Sequence, residues 1–197
     1  MLRPARLLLA VLIVPFALVG CGSGSKEKTI PASKLSKLVL RQNDLPPVFS
    51  AFYLGKELGS DVGSLRRDPG RFGRRGGWTA RYRRAGSPQT KGPLVIASRA
   101  DLFADPGGAK KDLDLLARSL RGLPRTKALL PRLGDDAFGI EQRQGSGRLT
   151  VVSYSFVWRR ANATAAIDAN GFVGKFTLGD ALALARKQDA RLRSFVR

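Results

Sequence analysis

One cysteine and no histidine in 197 residues set the strongest limit on how this chain can hold itself together. Cys21 has no second thiol to pair with, so a disulfide framework within the monomer is impossible and stability must come from packing. The cysteine also has a telling position. Arg3 and Arg6 precede Leu7 to Val19, an uncharged apolar run interrupted only by Pro15, and small residues follow. A basic start, a short apolar segment and a small-residue exit is the layout of an export signal. The 13 residues from Leu7 to Val19 make about 20 Å of helix, too short for a ~30 Å hydrocarbon core.

The exit Leu18-Val19-Gly20-Cys21 resembles the lipobox of bacterial lipoprotein precursors, in which a Leu, an aliphatic or small residue and a Gly or Ala precede the Cys. That resemblance implies cleavage between Gly20 and Cys21, a diacylglyceryl group on the Cys21 thiol, and acylation, as by palmitate, of the new amino group. Two or three acyl chains suffice for stable anchoring. The implied address is the extracytoplasmic face of the cell membrane, or an outer membrane where the source has one. The competing reading of Cys21 is a core cysteine that happens to follow a signal; free cysteines are common in cores but seldom sit at this offset.

Three segments follow: a signal over 1–20, a flexible tether over 21–31 carrying lipidated Cys21, and one globular domain over 32–197. The tether is Gly/Ser/Lys-rich and has no apolar periodicity; ten such residues span about 15–20 Å. The mature chain of 177 residues is an ordinary length for one core. Without Arg3 and Arg6 it keeps 33 basic residues against 15 acidic, a formal charge of +18.

Within the domain, the pattern alternates. Ser33 caps a short helix carrying Leu35, Leu38 and Val39, stopped near Asp44 by Leu45-Pro46-Pro47. Val48 to Leu54 suits a strand, as do the alternating Trp78, Ala80 and Tyr82 and the short run Leu94 to Ala97. Asp105-Pro106 starts a helix with Leu113, Leu116 and Leu120 as its buried stripe, and Gly122 with Pro124 ends it. Ala137 to Gln142 and Leu149 to Arg160 read as strands. Ala163, Ala165 and Ile167 lie on a partner strand, and Asn170-Gly171 suggests a tight turn into a further strand, Phe172 to Phe176. Thr177 and Asp180 form a capping box for a last helix with Leu178, Leu182, Ala185, Leu192 and Phe195 near one side. The expected class is α+β: an antiparallel sheet covered by two or three helices in a single domain.

Gly134-Asp135-Asp136-Ala137, then Val157-Trp158-Arg159-Arg160-Ala161-Asn162 at a strand end, then the final helix from Leu178 make residues 94–197 resemble two exported families. One is the PsbP-like α/β sandwich. The other is the extracellular sensor domain of actinobacterial serine/threonine kinases and related lipoproteins, which use disulfides that this chain lacks. The resemblance implies binding or sensing and names no ligand.

Catalytic constellations are missing, and an enzyme is not expected. Ser–His–Asp and Cys–His chemistry needs an imidazole, and a lipidated Cys21 is no nucleophile. Zinc and iron sites lean on His and Cys, so no metal or cofactor is expected. Asp135, Asp136 and Asp168 are the available hard-cation ligands, but they read better as turn and helix-approach carboxylates. There is no phosphate-cradling Gly-x-x-x-x-Gly-Lys loop.

What remains is basic charge. Arg66, Arg67, Arg71, Arg74, Arg75, Arg81, Arg83 and Arg84 fall in a Gly-rich stretch whose only acid is Asp68. Arginine suits bidentate capture of phosphate or carboxylate. Arg74-Arg75-Gly76-Gly77 looks like an RGG nucleic-acid element, yet an exported chain does not ordinarily meet nucleic acid, so that partner is not expected. Two uses are open for these arginines: anionic lipid headgroups near the anchor, or an anionic wall polymer or other ligand. A solvated surface from an arginine-favouring genome is the plain alternative, since Arg186, Lys187, Arg191, Arg193 and Arg197 recur far away. The stripe Tyr154, Phe156, Trp158 is either core or the lining of an apolar pocket. Asn162-Ala163-Thr164 has the form of a glycosylation sequon and reads as a hairpin turn. Two functions are thus carried forward: a lipid-anchored, non-catalytic binding or sensor-type module for an anionic envelope component or partner protein, and a carrier of a lipid or apolar ligand between sheet and helices.

Overall fold

A computed structural model describes residues 28–56 and 70–197. Seven strands form one antiparallel sheet: β1 (Ser50–Lys56), β2 (Arg74–Arg83), β3 (Val95–Phe103), β4 (Thr126–Leu129), β5 (Asp136–Gln144), β6 (Val151–Arg160) and β7 (Ala163–Phe172). Their spatial order is β1-β2-β3-β7-β6-β5-β4, which puts the β6–β7 hairpin and β3 at the centre. Among the described residues two α-helices accompany the sheet, α1 (Pro106–Arg121) between β3 and β4, and α2 (Leu178–Ser194) after β7. This is the expected α+β class.

Side-chain alternation along β6 assigns the helices to opposite faces. Tyr154, Phe156 and Trp158 point one way and join Ala181, Leu184, Ala185 and Leu192 of α2 in the larger core. Val157 points the other way and meets Leu113, Leu116, Ala117 and Leu120 of α1, with Phe138, Ile140 and Ala166. The stripe is therefore core: Tyr154, Phe156 and Trp158 are 5%, 0% and 0% exposed, and Phe176 packs edge-on against Tyr154 at 5.4 Å.

Both helix starts behave as their residues dictate. The Asp105 carboxylate accepts the Gly108 N–H at 2.7 Å with Pro106 opening α1, and Thr177 and Asp180 form a reciprocal capping box on α2. The buried stripe of α2 is shifted from the expected one, to Ala181, Leu184, Ala185, Gln188 and Leu192. Gln188 is fully buried because it is fully used: it accepts the Ser98 hydroxyl at 2.9 Å and donates to the Arg99 carbonyl at 2.8 Å.

Three expectations are corrected and one strand was not foreseen. Asn170-Gly171 is not a turn and Phe172–Phe176 is not a strand: β7 runs unbroken through both residues, paired with β6 on one side and, to Asn170, with β3 on the other. A central strand already paired on both sides outweighs a local turn signal. The first helix is two 3-10 turns, Ala32–Lys37 and Gln42–Asp44, because Leu38, Val39 and Leu40 are drawn into the core as an irregular segment. β4 was not apparent in Thr126–Leu129, a short edge strand of mixed polarity. Finally, Thr29 and Ile30, expected at the end of the tether, are engaged by the domain. Thr29 and Arg197 exchange two backbone hydrogen bonds of 3.1 Å, and Ile30 is 2% exposed.

The β6–β7 turn holds that docked segment. It consists of Ala161, at φ +52°, and Asn162. The Asn162 side chain accepts the Ile30 N–H at 2.6 Å and donates to the carbonyls of Phe103 at 2.9 Å and Ile30 at 3.3 Å. It is 4% exposed, so the sequon is a latch in a hairpin turn rather than an open acceptor.

Candidate functional site

The arginine-rich stretch does not form one patch. Cys21, Arg66 and Arg67 lie outside the described residues. Of the others, Arg71, Arg74 and Arg75 sit at one end of the sheet and Arg81, Arg83 and Arg84 toward the other. Arg74 pairs with Phe103, and Arg83 with Val95, at opposite ends of the β2–β3 ladder. The β3–β7 ladder runs from Leu102 to Val95, seven residues or about 23 Å. One linear signal thus becomes two separated groups.

In the first group Arg74 is occupied by the fold, while Arg71 and Arg75 are exposed. The Arg74 Nε donates to the Asp101 carboxylate at 2.5 Å, and the two side chains are 6% and 1% exposed. A buried, paired guanidinium is a structural element, not an offered one. Arg71 lies 4.7 Å over the ring of Phe72. The RGG-like run is strand: Gly76 lies close under Leu35, and Gly77 is buried. An extended run locked into a ladder lacks the pliancy that an RGG element uses to follow nucleic acid.

The second group is presented outward. Arg81 and Arg83 share the face of β2 opposite Tyr82, whose hydroxyl donates into the core to the Leu40 carbonyl at 2.8 Å. Arg81 lies 5.6 Å over the Tyr53 ring, and Arg83 lies 5.5 Å over Phe52. Arg84, on the other face, lies 5.1 Å over Phe49, with its Nε donating to the Pro93 carbonyl at 2.7 Å and Nη2 to that of Lys91. None of the three has a carboxylate partner among the described residues. Stacking holds the side chains extended, contributing about 0.5–1 kcal/mol each at an exposed site. A guanidinium carried over a ring keeps N–H donors with which it can meet an acceptor.

The surroundings add two features. β1 is an edge strand, and Val48, Phe52 and Leu54 on and beside it are 59%, 46% and 59% exposed. Under Arg84 and Lys91 lies a cleft of about 230 Å³ floored by Leu45, Phe49, Ile96 and Leu184, with Asp180 also on its wall. Sequence reading singled out the arginines but missed their aromatic supports, Phe52 and Tyr53 on β1 and Phe49 just before it, which become neighbours only through β1–β2 pairing.

The acids are committed elsewhere. Asp135 accepts the Ala161 N–H at 2.9 Å and pairs with Arg159 at 3.2 Å, and Asp136 pairs with Arg159 at 3.0 Å. The Gly134-Asp135-Asp136-Ala137 run thus clamps the end of the β6–β7 hairpin. Asp168 lies five residues along β7 from Ala163, about 16 Å away, and does not join them. Among the described residues, no group of three or more His, Cys, Asp or Glu converges to hold a metal. Asp189 takes both ends of the Arg160 fork at 2.7 and 2.8 Å, and this hydrogen bonding raises the guanidinium pKa further.

A second outward-facing basic group lies where the chain comes in. Lys28, Arg160, Arg193 and Arg197 surround a pocket of about 410 Å³ with Asp135, Ala161 and Val196. Sequence reading noted Arg193 and Arg197 only as distant background; their neighbourhood with Lys28 is created by the Thr29–Arg197 pairing.

No protein-family model matches the chain, and no curated protein matches it in sequence. In structure it is similar to the extracellular domain of PknH from Mycobacterium tuberculosis, with a TM-score of 0.60 and 10% sequence identity, over 85% of this chain and 99% of that one. At that identity the likeness is one of fold, and it is the fold that the resemblance of residues 94–197 to kinase extracellular domains implied.

Proposed function

We propose that this protein is a lipid-tethered, non-catalytic binding module on the extracytoplasmic face of the membrane, and that Arg81, Arg83 and Arg84 engage an anionic component of the envelope. The observation that carries this reading is the arrangement of those three guanidiniums: each rests on an aromatic ring, and none is matched to a carboxylate among the described residues. The strip lies toward the end of the sheet opposite the point where Lys28 comes in, which favours a wall polymer over the headgroups of the anchoring membrane. The shared fold with a kinase extracellular domain agrees with an extracytoplasmic recognition module. The exposed apolar edge β1 beside the arginines favours a second reading, an extended acidic segment of a partner protein adding to the sheet.

Retention on an isolated anionic wall polymer tests the first reading. R81E/R83E is expected to lower affinity by tenfold or more, taking about 1 kcal/mol for each guanidinium–anion pair removed. Unchanged retention of a folded R81E/R83E protein refutes it. Loss of binding to a partner protein, with wall-polymer binding intact, selects the second reading instead.

A further inference from the structure

We infer that the opposite pole is a docking site for the phosphate of an anionic phospholipid headgroup, seated among Lys28, Arg193 and Arg197. This rests on the tether part of the proposed function. The distance argument is geometric. Cys21 precedes Lys28 by seven residues, a span of at most about 25 Å. Lys28 is fixed to the domain by the bonds between Thr29 and Arg197 and by the Asn162 latch on Ile30. An acyl chain on Cys21 therefore keeps this pole within about 25 Å of the bilayer surface.

Charge selects the occupant. Lys28, Arg193 and Arg197 are exposed and have no carboxylate partner among the described residues, and their pocket of about 410 Å³ has room for a phosphodiester headgroup. The acidic side chain in the wall, Asp135, is already engaged by Arg159 and by the Ala161 N–H, and Arg160 is held by Asp189. The pocket thus keeps its free cations for an incoming anion. Val196 and Ala161 supply a small apolar wall for the glycerol end. Docking would give the domain a fixed orientation, with Arg81, Arg83 and Arg84 aimed outward.

The test places the acylated full-length mature protein in nanodiscs of phosphatidylcholine with and without phosphatidylglycerol and follows hydrogen exchange at Thr29–Ile30 and Val196–Arg197. Slower exchange is expected in the anionic discs, about fivefold for each cation engaged. K28E/R193E/R197E should abolish that protection, K28Q/R193Q/R197Q should weaken it, and R81E/R83E should leave it unchanged. Equal exchange in both kinds of disc overturns the proposal, as does full protection of a folded K28Q/R193Q/R197Q. Inorganic phosphate added to phosphatidylcholine discs is the remaining arm; if it alone reproduces the protection, the site is a free-phosphate site and the headgroup assignment falls. Intact mass of the purified chain separates these outcomes from failure of the tether itself, since an unacylated Cys21 would refute the anchor independently of the pocket.

Discussion

Replacing Asn162 by Ala removes three hydrogen bonds at once and exposes how the domain holds its first residues. The Ile30 N–H loses an acceptor at 2.6 Å, and the carbonyls of Phe103 and Ile30 lose donors at 2.9 and 3.3 Å. Ile30 is 2% exposed and Phe103 is 0% exposed, so water does not readily replace the missing partner. Each buried group left unpaired costs about 1–3 kcal/mol, and with the longest bond counted as weak the loss comes to about 3 kcal/mol. For a chain of this size that lowers Tm by about 10 °C. Urea unfolding followed by tryptophan fluorescence measures it, with the slope on denaturant unchanged if only stability is altered. N162D adds a control, because it keeps the acceptor for Ile30 but lacks both donors; it should be as damaging at neutral pH and partly relieved when the carboxylate is protonated. A loss under ~1 kcal/mol for N162A would refute the reasoning, since it would mean the three groups find other partners. Hydrogen exchange at Thr29 and Arg197 should quicken in N162A, tying the latch to the position of Lys28.

Two more outcomes follow from the packing. Asp44 receives the Arg191 fork at 2.7 and 2.9 Å; burial raises its pKa, but the hydrogen bonds from Arg191 and the Arg41 N–H, helped by the charges of Arg191 and Lys187, outweigh that and hold it below the ordinary carboxylate value. A depressed folded pKa contributes stability above the unfolded value and loses it as pH falls through the folded one, so D44N should be less stable than wild type at neutral pH. That difference should vanish in strong acid, and a pH-independent difference in urea midpoints would contradict the assignment. Gly108 admits no side chain, because a Cβ there would lie 2.2 Å from the backbone carbonyl oxygen of Phe72. G108A should cost about 2 kcal/mol or more by thermal unfolding, although alanine is otherwise the better helix former.

Where local chemistry and tertiary packing agreed, the fold was legible in the residues. Asp105-Pro106 and Thr177–Asp180 fixed both helix starts, and the alternation of Tyr154, Phe156 and Trp158 fixed the central strand and its faces. Where they disagreed, packing prevailed: Asn170-Gly171 has turn chemistry but lies in a strand paired with β6 and, to Asn170, with β3, and Leu35, Leu38 and Val39 have helical spacing but Leu38–Leu40 is buried as irregular chain. The candidate site was legible only in part. Arginine content was visible, but its division into a paired Arg74 and a stacked Arg81, Arg83 and Arg84 depends on Asp101 and on the rings of β1, which sequence spacing does not connect. The pole formed by Lys28, Arg193 and Arg197 joins residues from the two ends of the described chain, so no local pattern could announce it.

The central claim is that the ring-supported arginines Arg81, Arg83 and Arg84, which have no carboxylate partner among the described residues, bind an anionic partner away from the membrane. Its most direct measurement is the affinity of the acylated protein for purified anionic wall polymer as salt rises from low to molar ionic strength, where the screening length falls from about 30 Å to about 3 Å. The account predicts that affinity weakens steeply with salt in wild type and much less steeply in R81E/R83E. A salt-insensitive affinity, or the same salt dependence in both proteins, would contradict it.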